Sequence, residues 1–136
     1  MYKRQIQIGI RGSAEYLWEF SYESGMTVIH AEDIARLGVE AIIAQARAVV
    51  GDGPVYVSFD IDCLDPAFAP GTGTPEVGGV TVREAQAMLR GLAGLDIIGG
   101  DLVEVAPSYD ATANTAHAGA QILFEILSLM RWRGAR

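Results

Sequence analysis

Between Gly51-Asp52-Gly53-Pro54 and a long stretch rich in proline and glycine runs Val55-Tyr56-Val57-Ser58-Phe59-Asp60-Ile61, β-branched or aromatic at most positions. A strand with one wet face alternates apolar and polar residues, whereas a strand covered on both faces reads as a nearly continuous apolar run. The segment therefore predicts a strand sandwiched between helices, the usual setting of a parallel sheet. The rest of the chain supplies the partners. Ile6 to Ile10 alternates and breaks at Arg11-Gly12-Ser13, and Ser13 is placed to cap a helix running to about Glu23. Gly25 ends that helix, and Met26 to Ile29 predicts a second strand. Val39, Ile42, Ile43, Ala46, Val49 and Val50 fall at helical spacing before Gly51 stops them.

Thr81-Val82-Arg83-Glu84 is a capping box, and the helix behind it carries Val82, Ala85, Leu89 and Leu92 on one face and ends at Gly94. Leu95 to Val105 predicts a further strand, interrupted by Gly99-Gly100, for which close approach of a neighbouring backbone is one explanation. Asp110 or Thr112 caps a last helix whose apolar stripe reads Ala113, Ala116, Ala120, Leu123, Phe124, Leu127 and Met130, with Arg131, Arg133 and Arg136 favourable at its C-terminal end. Strand and helix alternate throughout, so the class is α/β with a mostly parallel sheet.

Composition narrows what such a domain does. At 136 residues the chain fits one domain, and it has no apolar run of the roughly 20 residues a membrane span needs. Lys3 and Arg4 near the start are followed by no apolar signal-peptide segment, so the reading is a soluble, cytoplasmic protein without a membrane partner. The single cysteine, Cys63, excludes an internal disulfide and a multi-cysteine zinc site. A formal charge of −7 argues against nucleic acid as partner and tolerates cationic ligands or metals.

The chemistry is expected where the apolar strand ends. Strand alternation sends Asp60 and Asp62 to the same side, and ligands of parallel α/β sheets collect beyond the carboxyl ends of the strands. Two carboxylates about 4 Å apart repel by about 4 kcal/mol at an effective dielectric of 20, so a positive partner is expected between them. Carboxylates suit hard divalent cations such as Mg²⁺ or Mn²⁺. The competing reading is that these acids cap the following loop through its backbone amides. That loop, Asp62 to Gly79, contains Pro66, Pro70 and Pro75 with four glycines, and a loop so long inside a compact domain is usually functional.

Three segments in order, Ser58-Phe59-Asp60-Ile61-Asp62-Cys63-Leu64-Asp65-Pro66, Pro70-Gly71-Thr72-Gly73-Thr74-Pro75-Glu76-Val77-Gly78-Gly79 and Gly99-Gly100-Asp101-Leu102-Val103-Glu104-Val105-Ala106-Pro107, resemble the ureohydrolase family of arginases, agmatinases and related guanidino-compound hydrolases. The resemblance runs from about Ile6 to Met130, and the threonine-containing loop looks more like the agmatinase branch than the arginase branch. It implies a three-layer α/β/α fold with an eight-stranded parallel sheet, and a binuclear Mn²⁺ site whose bridging hydroxide attacks a guanidinium carbon to give urea and an amine. Asp60 matches the carboxylate that bridges both metals and Asp62 one bound to the second metal. Glu104 matches the acid that pairs with the substrate guanidinium, and Thr74 a loop position near the reacting group, with a hydroxyl satisfying the turn before Pro75 as its alternative. The implied partners are a small cationic guanidino substrate and further copies of the protein in a trimer or hexamer.

The family's Gly-Gly-Asp-His and Asp-Ala-His-x-Asp segments do not occur in this sequence, nor does a match to its proton-transfer histidine. Only Asp60 and Asp62 remain of the expected metal ligands. Residues 1–136 are therefore expected to be the C-terminal portion of a single longer domain, weak in metal binding and nearly inactive alone. An inactive interaction subunit is the alternative from another class. A phosphotransferase of the haloacid-dehalogenase type is disfavoured because Leu64 stands where that pattern wants threonine. Asp65, beside Pro66, is expected to organise the loop, and His30, His117, Cys63, Asp101 and the aromatic trio Tyr16, Trp18 and Phe20 are given no catalytic role.

Overall fold

The computed structural model describes residues 2–12, 16 and 18–131. Among the described residues four strands and five α-helices follow one another as β1 (Ile6–Ile10), α1 (Glu19–Glu23), β2 (Thr27–His30), α2 (Ala31–Leu37), α3 (Val39–Val50), β3 (Val55–Asp60), α4 (Val82–Arg90), β4 (Ile97–Val103) and α5 (Asn114–Arg131). The expected cap Ser13 and the arginines Arg133 and Arg136 lie outside the described residues, as does the side chain of Arg131. The fold is α/β with parallel pairing throughout, as expected. Its strands form two separate pairs: β1 with β2, and β3 with β4.

Helix α3 spans the residues the apolar spacing predicts, with Ile42 and Ala46 buried. The Thr81–Glu84 capping box forms with both reciprocal bonds, and Ala85 and Leu89 of α4 face the core. That helix stops at Arg90, with Gly91 as its C-cap, before the expected Gly94. Helix α2 has no counterpart in the sequence reading: seven residues contribute one buried side chain, Ile34, too few to show a period.

Three expectations are corrected. β3 alternates between half-buried and exposed positions and is not covered on both faces; Tyr56 is 59% exposed. The glycine pair does not interrupt β4, which runs through it. A Cβ on Gly100 would come within 2.7 Å of the Val57 carbonyl oxygen and 2.6 Å of Ile126 Cγ2, so close approach of strand and helix is what requires glycine there. On α5 most of the expected stripe faces outward: Leu123, Phe124 and Leu127 are exposed, Met130 alone of its large residues packs against the core, and Thr115, Ile122, Glu125, Ile126 and Leu129 are buried.

The two strand pairs flank a cavity of about 1260 Å³, lined along their lengths by β1 and β3 and beneath by Met88, Leu89 and Leu92. Among the described residues, neither strand has a hydrogen-bonded partner on that side. No described helix is long and apolar enough to cross a membrane.

Candidate metal centre

β3 and β4 run parallel with Asp60 opposite Val103, so their carboxyl ends lie side by side and place Asp60 next to the residue preceding Glu104. The strand stops at Asp60. Ile61–Cys63 then forms a short 3-10 turn, in which Asp60 Oδ1 accepts the Asp62 N–H at 3.1 Å. A turn, and not strand alternation, therefore brings the two acids together, and the loop-capping bond weighed as an alternative is present as well.

The carboxyl of Asp60 is pushed up to about 6, first by withdrawal from water and then by the charges of Asp62 and Glu104, against the Asp62 N–H that favours the anion. Glu104 is exposed and sits at φ 66°, in the left-handed region that side chains other than glycine avoid. Thr74 is not spent on its own turn: its Oγ1 donates to Asp62 Oδ2 at 2.9 Å.

The loop carrying Thr74 is built by Asp65, which accepts the Ala67 N–H on Oδ1 and the Gly78 N–H on Oδ2, both at 2.9 Å. These bonds hold its carboxyl below the ordinary aspartate range, the loop-organising part expected of it. The far end of the loop closes through the Asp65 N–H to the Val80 oxygen and the Val80 N–H to the Cys63 oxygen. A Cβ on Gly79 would stand 2.5 Å from the Asp65 nitrogen, so this closure demands glycine.

One site residue escapes the sequence reading. Arg11, which in the sequence only marks the end of a strand, reaches the main-chain oxygens of Asp62 at 2.5 Å, Glu76 at 2.7 Å, Leu64 at 3.3 Å and Gly9 at 3.5 Å. Nothing in the motif spacing marks it, because its partners are backbone atoms more than 50 residues away as well as at hand.

The residues given no catalytic role have other occupations. Asp101 accepts from Tyr56 Oη at 2.8 Å and Ser58 Oγ at 2.7 Å, tying β4 to β3. Burial pushes the Cys63 thiol up to about 12, far from a nucleophile's range. His117 is exposed on α5, and His30 shares a hydrogen bond with Tyr22 Oη while Trp18 packs edge-on against its ring.

Oxygen donors alone, carrying mutually repelling charge, fit a hard divalent cation such as manganese. Among the described residues no group of three His, Cys, Asp or Glu side chains is assembled to hold one, so the donors amount to a partial shell.

The family model described as "Arginase family" matches residues 2–128. Guanidinopropionase of Pseudomonas aeruginosa is 56% identical over 135 residues, covering 98% of this chain and 42% of that protein. The mitochondrial agmatinase of Gallus gallus is 50% identical over 129 residues, covering 93% and 38%. A crystal structure of a hypothetical agmatinase from Burkholderia thailandensis superposes with a TM-score of 0.86 at 44% identity, over 98% of this chain and 41% of that one. This chain spans about two fifths of the length of the curated relatives it matches. With a family model matching nearly its whole length, the chain belongs to the arginase family.

Proposed function

We propose that residues 1–136 are the C-terminal portion of a ureohydrolase domain, and that the complete domain hydrolyses a small guanidino compound, agmatine first among them, to urea and an amine. The observation that carries this reading is the convergence of Asp60, Asp62 and Glu104 at the carboxyl ends of one parallel strand pair, with Asp60 pushed up by burial first and by its two acidic neighbours after that. Such a cluster is arranged to receive positive charge, and two kinds are implied. Asp60 and Asp62 would hold manganese, which when bound acidifies water toward neutrality. Glu104 pairs with the planar guanidinium, the geometry a carboxylate recognises best. Thr74 keeps Asp62 turned by its hydrogen bond. The names of the relatives support the guanidino class and leave agmatine, guanidinopropionate, guanidinobutyrate and arginine as candidates.

The test is a chimera in which this chain replaces the matching span of Pseudomonas guanidinopropionase. It is expected to release urea from a guanidino substrate, to lose activity in chelator and to recover it with Mn²⁺. Asp60→Asn should cut urea release by at least about 100-fold, since losing even a supporting partner of a metal ligand typically costs 10–100-fold. A variant near the parent's rate would sink the assignment. A second reading follows from the partial shell: the chain alone turns over little and serves as an interaction subunit of such an oligomer. Co-purification with a full-length homologue supports it, and a monodisperse chain without a partner counts against it.

A further inference from the structure

Arg11 leaves the carboxyl end of β1 and spends its donors on main-chain carbonyls of its own strand and of two segments distant in sequence. Nη1 meets Gly9 at 3.5 Å on its own strand. Nη2 meets Asp62 at 2.5 Å and Leu64 at 3.3 Å in the turn after β3. Nε and Nη2 both meet Glu76, at 3.1 and 2.7 Å, in the loop of Thr74. The ion pairs among the described residues are Arg36–Asp33 and Arg90–Glu125, so Arg11 pairs with no described carboxylate. Its charge is committed to backbone.

We propose that Arg11 is a positioning residue for the metal ligand Asp62, acting by locking the turn of Asp62 to the loop of Thr74. The contacts close a ring. The Asp62 backbone is held by Arg11, Arg11 holds the Glu76 backbone, Glu76 lies two residues after Thr74, and the Thr74 hydroxyl returns to the Asp62 carboxylate at 2.9 Å. With the backbone fixed on one side and the carboxylate on the other, Asp62 has one orientation to offer. A lysine cannot replace this, because a single ammonium lacks the planar fork of donors that spans carbonyls on two segments. The proposal rests on the reading of Asp62 as a metal ligand given above.

The test uses the guanidinopropionase chimera with Arg11→Lys and Arg11→Met. Both variants are expected to weaken Mn²⁺ binding, followed by the electron paramagnetic resonance of free Mn²⁺, by about 10-fold or more, the usual effect of removing support from a ligand. Urea release should fall at low Mn²⁺ and return when Mn²⁺ is raised. Hydrogen exchange should quicken at the amides of Asp62 and Gly78, bonded to Asp60 and Asp65, and stay unchanged at Thr27, bonded to Gln5 across β1 and β2. Unchanged Mn²⁺ affinity with unchanged exchange overturns the proposal. Faster exchange everywhere, Thr27 included, with a loss that Mn²⁺ does not restore, also overturns it and makes Arg11 a general fastener of the fold. If the parent chimera neither binds Mn²⁺ nor releases urea, the functional reading falls, and the exchange pattern still decides whether Arg11 locks the two segments together.

Discussion

Glu104 occupies a backbone conformation that costs a side-chain-bearing residue about 1–2 kcal/mol, at the end of the strand beside Asp60. Strain of this kind persists where the surroundings enforce it, and it gathers at sites where a group must point in one direction. Glu104→Gly relieves the strain, while the freedom glycine gains in the unfolded chain returns about 0.5–1 kcal/mol of that. The net expectation is a gain of up to about 1 kcal/mol in urea unfolding of the chimera. The same change removes the carboxylate proposed to hold the guanidinium, so kcat/KM should fall at least about 10-fold, the worth of one hydrogen bond to a charged group. Glu104→Gln separates the two effects: activity falls without the gain in stability. A stability loss in Glu104→Gly would refute the strain argument, and undiminished activity would refute the role. Asp60 and Asp62 were legible as candidates from their type and spacing at the end of a strand, and Glu104 only through the family resemblance of its segment. Arg11 was not, because a side chain that binds carbonyl oxygens leaves no mark on the identity of its partners.

Helix α5 shows why a correct element can be docked the wrong way round on paper. Its apolar residues Leu123, Phe124 and Leu127 suggest the buried face, yet the face that packs carries Thr115, Gly119 and Glu125 among Ile122, Ile126 and Leu129. Each apparent misfit is satisfied by something distant. Thr115 Oγ1 accepts the Gly71 N–H at 2.7 Å, Gly119 leaves room for Leu102, whose Cδ2 would stand only 3.3 Å from a Cβ there, and Glu125 receives the fork of Arg90. Two carboxylates thus fasten the helix. Asp110 is held below the ordinary aspartate range by the Thr112 hydroxyl and then the Thr115 N–H, and Glu125 below the glutamate range by Arg90. Both have folded-state values depressed from the unfolded ones of about 3.9 and 4.3. Their stabilisation is therefore complete above about pH 5 and is lost as pH falls below 4 toward the folded values. Asp110→Asn with Glu125→Gln should lower the melting temperature at pH 7, and the gap from the parent should begin to narrow as pH falls below 4, without closing by pH 3 because Asp110 stays ionised in the fold there. Thermal melts followed by circular dichroism across pH 3–7 check this. A gap that is constant with pH would mean that the two groups act by shape and not by charge.

At the scale of the molecule, the 1260 Å³ cavity between β1 and β3 carries the same information as the comparisons. Near-continuous apolar reading of Val55 to Ile61 foretells a strand covered on both faces, and among the described residues that strand is exposed at alternate positions and paired on one side only. The mismatch has a physical reading: the sequence of β3 is written for more neighbours than this chain provides, consistent with relatives more than twice its length. The same holds for the outward apolar residues of α5. Unpaired strand edges and exposed apolar faces are templates for association. The chain alone is therefore expected to self-associate and to bind a hydrophobic dye. Co-expression with the portion of Pseudomonas guanidinopropionase that it does not match should yield a soluble complex, with dye binding reduced and the melting temperature raised, since a partner that binds only the folded state stabilises it. Size-exclusion chromatography of the two preparations checks the outcome. A monodisperse chain that binds no dye and ignores the complementing portion would show that β1 and β3 tolerate their open edges, and would return the exposed positions of β3 to the account of an independent fold.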